Sequence, residues 1–128
     1  MNDAAATTLG GRAILVVEDD YMLATDLSEF LAEHGATIIG PAGTVLQAMA
    51  LVEGTSSIDA AVLDVNLRGE RVYPVADALL ARKVPFVFVT GYEVLLLDRK
   101  YVGLPRSPKP IDKQSLLPLL QTLVAARA

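Results

Sequence analysis

The tightest restriction on the fold comes from a series of short, unbroken apolar runs, each followed by residues whose apolar positions recur at helical spacing. Ala13-Ile14-Leu15-Val16-Val17 is the first such run; residues 36–39, 60–64 and 86–89 are the next three. Continuous runs of this length mark strands buried on both faces, which occur in parallel sheets covered by helices. Between them, Leu23, Leu27, Phe30 and Leu31 make one helical stripe, and Val72, Val75, Ala76, Leu79 and Leu80 make another. Leu116, Leu120, Leu123 and Val124 mark a final helix.

Local signals set the expected boundaries. Asp20 is an N-cap candidate and Gly35 a stop for the first helix. Gly40-Pro41 reads as a turn after the second strand, and Thr44-Val45-Leu46-Gln47 fits a capping box for a helix running to about Gly54. Pro74 suits the first turn of the next helix. Residues 104–107, bordered by Pro105 and Pro108, predict a short fifth strand at a sheet edge. Pro118 requires that the last helix either start near Ser115 or bend. Residues 92–103 lack clear amphipathic spacing and predict a short or irregular helix. The alternation predicts an α/β fold: a doubly wound, five-stranded parallel sheet of flavodoxin-like architecture, with a reduced fourth helix.

Length and composition agree. The 128 residues suffice for one domain, expected over residues 12–128 behind a flexible leader at 1–11. The chain is 52% hydrophobic but only 5% aromatic, so its core must be aliphatic. The absence of cysteine removes disulfides, zinc-thiolate sites and thiol nucleophiles, and is compatible with a reducing cytoplasm. No signal peptide is apparent and no run approaches the roughly 18 apolar residues that span a bilayer. A soluble, cytoplasmic protein without membrane contact is expected. With 11 Lys and Arg against 15 Asp and Glu, and no basic cluster, direct nucleic-acid binding is not expected.

In such a sheet, sites form at the carboxyl ends of the strands. Strand one ends in Glu18 and Asp19, strand three in Asp64 and strand four in Thr90, while Lys109 follows strand five. Carboxylates gathered on one rim raise one another's pKa unless a cation joins them, and oxygen ligands beside water suit magnesium. Lys109 and Thr90 offer a fixed charge and a hydroxyl for phosphoryl oxygens. One carboxylate must be the acceptor, and Asp64 is central. Each group alone has an ordinary explanation: acidic residues after a strand are often helix caps, and a Lys before Pro is usually a solvated loop residue. It is their combination that points to phosphoryl transfer. His34, the single histidine, is expected at a helix C-terminus as a partner of the helix dipole, not as a catalyst.

The motifs Val16-Val17-Glu18-Asp19, Val62-Leu63-Asp64-Val65-Asn66-Leu67, Val89-Thr90-Gly91 and Lys109-Pro110 follow one another in order. Here the sequence resembles the receiver domains of bacterial response regulators in two-component signalling, from about Arg12 to Ala126. Pro85-Phe86-Val87-Phe88-Val89-Thr90-Gly91-Tyr92 is similar to the signature of the FAT-GUY receivers, many of them single-domain proteins working with HWE-type or related histidine kinases. The resemblance implies that Asp64 is the phospho-acceptor and that Asp19 and Asp64 bind Mg2+. It implies that Glu18 acts mainly through a metal-bound water and that the Asn66 backbone carbonyl completes the protein ligands. Thr90 and Lys109 would hold phosphoryl oxygens, and Lys109-Pro110 would be cis.

The implied partners are a histidine kinase or histidine phosphotransfer protein and a downstream protein, or a role as phosphate sink. The implied chemistry is self-phosphorylation and dephosphorylation, not turnover of a free substrate. Because the sequence ends soon after the last helix, output is expected to pass through another protein. Two features depart from the common pattern. Arg106 stands where most receivers carry a Tyr or Phe, and the stretch between Asp64 and Lys109 is short. Residues 92–103 are therefore expected to be mobile and to read out phosphorylation, with Tyr92 screening the acyl phosphate from water. Two alternatives stand beside this reading. One is a pseudo-receiver that is never phosphorylated. The other is a haloacid-dehalogenase-like phosphatase, disfavoured because Asp64-Val65-Asn66 supplies Asn where that family needs an acid.

Overall fold

A computed structural model describes residues 9–91, 99–101 and 103–127. Five parallel strands form the sheet: β1 (Ala13–Val17), β2 (Thr37–Ala42), β3 (Ala60–Asp64), β4 (Phe86–Thr90) and β5 (Arg106–Pro108), in the spatial order β2-β1-β3-β4-β5. Four α-helices are described: α1 (Tyr21–Glu33), α2 (Val45–Gly54), α3 (Tyr73–Ala81) and α4 (Lys113–Arg127). This is the doubly wound architecture that the alternating runs predict.

The unbroken apolar runs have a direct cause in this layout. Successive side chains of a strand point to opposite faces, and here both faces are covered. Leu15, Val17, Ala61, Leu63, Phe86 and Phe88 pack with Val45, Ala48 and Val52 of α2 and with Val75, Ala76 and Leu79 of α3. Their neighbours Ile14, Val16, Ala60, Val62, Val87 and Val89 pack on the other side with Leu27 and Leu31 of α1 and Leu116, Leu120 and Val124 of α4. Strands β3 and β4 are buried at every position, so a polar side chain at their ends is held by the best-packed part of the molecule.

The helices start and stop where the sequence asks. The Asp20 carboxylate accepts the Leu23 N–H at 3.1 Å. His34 closes α1, its Nδ1 2.9 Å from the Phe30 carbonyl, and Gly35 follows with φ 91°. Thr44 Oγ1 accepts the Gln47 N–H at 3.0 Å, while Gln47 Oε1 accepts from Gly43, one residue earlier than the usual capping box. The Asp112 carboxylate takes the Gln114 N–H and the Ser115 hydroxyl at the start of α4, which begins at Lys113, close to Ser115, and holds Pro118 within it.

Some expectations are corrected. Strand β2 does not stop before Gly40-Pro41 but runs through it to Ala42, with a cis Gly40–Pro41 bond and a break in register between Leu15 and Val17. An edge strand can hold a proline because its missing N–H faces no partner. Gly40 is required: its φ is 100°, and a Cβ would lie 2.9 Å from the Ala42 nitrogen. The expected leader over 1–11 overlaps the packed chain. Leu9 is buried and its N–H donates to the His34 carbonyl, so packing begins by Leu9 and not at Arg12.

The irregular helix expected over 92–103 falls mostly outside the described residues; within them a 3-10 turn covers Arg99–Tyr101. Among the described residues, no helix is long and apolar enough to cross a membrane.

Candidate phosphoryl-acceptor site

Strands β1 and β3 are neighbours, with Val17 opposite Leu63, so the residues that follow them emerge side by side. Carboxylate oxygens of Glu18, Asp19 and Asp64 all lie within 4.8 Å of one another. Glu18 is 5% and Asp64 4% exposed. Lys109 reaches in from the turn after β5: its ammonium donates to Asp64 Oδ2 at 2.8 Å and lies 3.4 Å from Glu18 Oε1. The Lys109–Pro110 bond is cis.

Backbone N–H groups hold the remaining oxygens. Glu18 Oε2 accepts from Asp20 at 2.9 Å and Asp64 Oδ1 from Asn66 at 3.2 Å. Thr90 ends β4 beside this group, 4% exposed, and its carbonyl accepts the Lys109 N–H at 2.8 Å. Thr90, Gly91, Pro108 and Lys109 line a shallow open recess there. The Asn66 side chain is occupied elsewhere, its Oδ1 accepting the Gly69 N–H at 3.0 Å. Glu18, Asp19, Asp64, Thr90 and Lys109, separated in sequence, are thus brought to one rim. Arg106 is exposed on the edge strand. His34 stays at the end of α1, its ring tilted against that of Phe30 at 4.4 Å between centroids.

The electrostatics are those of crowded, partly desolvated acids. Burial pushes the Glu18 carboxyl up to about 7, with the Asp64 charge adding to the effect and the Asp20 N–H opposing it. Burial also raises Asp64 against the opposing hydrogen bond and charge of Lys109. Burial works against the Lys109 charge, but the two carboxylates outweigh it and hold its pKa above the ordinary value. Three carboxylates whose oxygens lie within 4.8 Å of one another, two of them with raised pKa values, fit the hard-oxygen preference of a divalent cation. This acidic cluster can hold a metal ion.

One element escaped the sequence reading. After β3, Asn66–Leu67 and Glu70–Arg71 pair antiparallel across a two-residue turn, Arg68 and Gly69, both at positive φ (54° and 89°). That is the geometry of a type I′ hairpin. The Arg68 N–H donates to Asp19 Oδ2 at 3.0 Å, tying the hairpin to the acidic loop. Arg-Gly is not the Asn-Gly or Asp-Gly pair that announces such a turn; only Gly69 hinted at it.

No family model matches the chain. The solution structure of SdrG from Sphingomonas melonis Fr1 is 42% identical, matching 88% of this chain and 96% of that one with a TM-score of 0.76. The receiver domain of PhyR from Erythrobacter litoralis shares the fold at 22% identity, with a TM-score of 0.79 over 91% of this chain and 92% of that one. The transcriptional regulatory protein PdtaR of Mycobacterium tuberculosis is 26% identical over 118 residues, 89% of this chain; the chain spans 57% of that relative's length. With the sheet order, the acidic rim and the inward lysine, these likenesses agree on one identity: the chain belongs to the receiver-domain family of response regulators.

Proposed function

We propose that the chain is a receiver of the FAT-GUY type that accepts a phosphoryl group onto Asp64 from a phosphohistidine of a kinase or phosphotransfer protein. The observation that carries this is the 2.8 Å contact between Lys109 Nζ and Asp64 Oδ2, inside a cluster of carboxylates within 4.8 Å of each other. An Asp64 oxygen attacks phosphorus in line, the P–N bond breaks, and the leaving imidazole takes a proton. Lys109 and the Thr90 hydroxyl hold phosphoryl oxygens, the first as a fixed charge and the second as a hydrogen-bond donor. Asp19 and Asp64 would bind Mg2+ directly, with Glu18 acting through water and the Asn66 carbonyl completing the set. Bound there, the ion supplies charge neutralisation at the phosphoryl oxygens. A cation held there would favour the charged forms of Glu18 and Asp64, whose pKa values burial raises.

Hydrolysis of the acyl phosphate by water restores Asp64, so the chain modifies and resets itself and is not a turnover enzyme. The signal then passes by protein contact, or the domain drains phosphate from a relay. A net charge of -4 without a basic cluster gives no support to nucleic acid as the partner. We place the protein in the cytoplasm, with the kinases that such domains serve.

Incubation with acetyl phosphate and Mg2+, followed by intact mass, tests the assignment. One added phosphoryl group is expected, lost in Asp64→Ala. A wild-type protein that stays unlabelled would make it a pseudo-receiver, and steady release of phosphate from a free ester would revive the phosphatase reading.

A further inference from the structure

The rim that takes the phosphoryl group is short of positive charge. It carries three carboxylates and one ammonium, and a divalent cation only cancels that excess. Phosphoryl donors are themselves anionic, so a site balanced in this way gives them no net attraction.

The hairpin after β3 places one more cation beside this rim. Arg68 is exposed at the turn, its backbone N–H fixed to Asp19 Oδ2 at 3.0 Å and its guanidinium Nη2 3.5 Å from the Asp19 carbonyl oxygen. Among the described residues, ion pairs engage Arg12, Lys100, Lys109 and Lys113, and no carboxylate pairs with Arg68. Glu70 and Arg71 on the same hairpin offset each other.

The backbone adds a second observation. Arg68 has φ 54°, a left-handed conformation that Asn or Gly adopts with less strain at this turn position. A strained residue at the edge of a site directs attention to what its side chain does there. Arg68 touches Asp19 through both its backbone N–H and its guanidinium, which sets its charge beside the acidic loop.

We infer that Arg68 is a binding residue for the phosphoryl donor, its guanidinium drawing the donor's anionic group onto the rim beside Asp19. This rests on the reading of Asp64 as acceptor. In the reaction with acetyl phosphate, the bond from phosphorus to the acetate oxygen breaks as an Asp64 oxygen bonds to phosphorus. Acetate leaves with the electron pair. Arg68 takes no part in bond making; it raises the local concentration of donor and holds it.

The test compares wild type, Arg68→Gly and Arg68→Lys. The glycine variant keeps the left-handed backbone and the N–H to Asp19 while removing the charge; the lysine variant keeps the charge. Labelling by acetyl phosphate with Mg2+ is followed by intact mass at low and high salt, alongside thermal melting. For Arg68→Gly the second-order rate constant falls about 10-fold at low salt and loses most of its salt dependence. Its melting temperature does not fall, and Arg68→Lys recovers most of the rate. A glycine variant that labels like wild type at both salt concentrations overturns the inference, as does a lysine variant as slow as glycine, or a loss of rate that merely tracks a lower melting temperature. Those results leave the acceptor assignment standing, whereas a wild-type protein that takes no label at Asp64 sinks both.

Discussion

The Lys109 ammonium lies 2.8 Å from the Asp64 carboxylate, and this contact opposes the burial that raises the acid's pKa. Lys109→Met therefore moves the Asp64 pKa further upward, because both its hydrogen bond and its charge are lost. Carboxyl NMR of metal-free protein reads the shift. Labelling by acetyl phosphate drops at least about 100-fold in the same variant, as when one preorganised charge is taken from a transition state. An Asp64 titration unmoved by the substitution would mean that the lysine is not its partner in solution.

Glu18 makes stability depend on pH. Its folded pKa is raised from 4.5 to about 7, so its contribution is fully present below 4.5 and is lost as pH rises through 7. Glu18→Gln removes that loss. In metal-free protein the variant gains on wild type between pH 5 and 8 by up to roughly 3 kcal/mol. Urea midpoints at the two pH values measure it, and an equal difference at both would refute the burial argument.

Divalent cations should stabilise the wild type by occupying the acidic rim. At a concentration about 100 times its dissociation constant, Mg2+ adds roughly 2.7 kcal/mol. Asp19→Asn takes away one carboxylate of the cluster and should lose most of the resulting rise in melting temperature. The same rise in both proteins would place the ion elsewhere.

Tyr101 anchors the chain where it returns to the described structure after residues 92–98. Its ring is buried, stacked on Tyr73 at 4.5 Å and edge-on to Phe88, and its hydroxyl donates to Asp77 at 2.6 Å. Tyr101→Phe costs about 1 kcal/mol and Tyr101→Ala about 3–5 kcal/mol in urea unfolding. That hydrogen bond holds the Asp77 carboxyl below 3.8. Its contribution is present above 3.8 and fades as pH falls through the lower folded value, so the Phe variant should approach wild type in acid. A pH-independent difference would assign the cost to packing alone.

The fold was legible because the apolar runs report two-sided burial without reference to distant residues: Ala13–Val17, Ala60–Asp64 and Phe86–Thr90 occupy the strands that their composition predicts. The cluster of Glu18, Asp19, Asp64 and Lys109 followed from topology, since parallel strands end on one side of the sheet. Gly40-Pro41 misled because a glycine and a proline that usually interrupt a strand are here accommodated on an edge. Arg68 and Tyr101 were missed for another reason. Their partners, Asp19 and Asp77, lie far away along the chain, and no local spacing encodes such contacts.

Strand β3 is flanked by a neighbour on either hand and roofed by helices above and below. A fluctuation that frees its backbone must undo most of the molecule, so the hydrogens of its amides should be among the last to exchange. If Asp64 carries a phosphoryl group as proposed, mutations deep in the sheet should alter how much protein stays folded before they alter how long that group lasts.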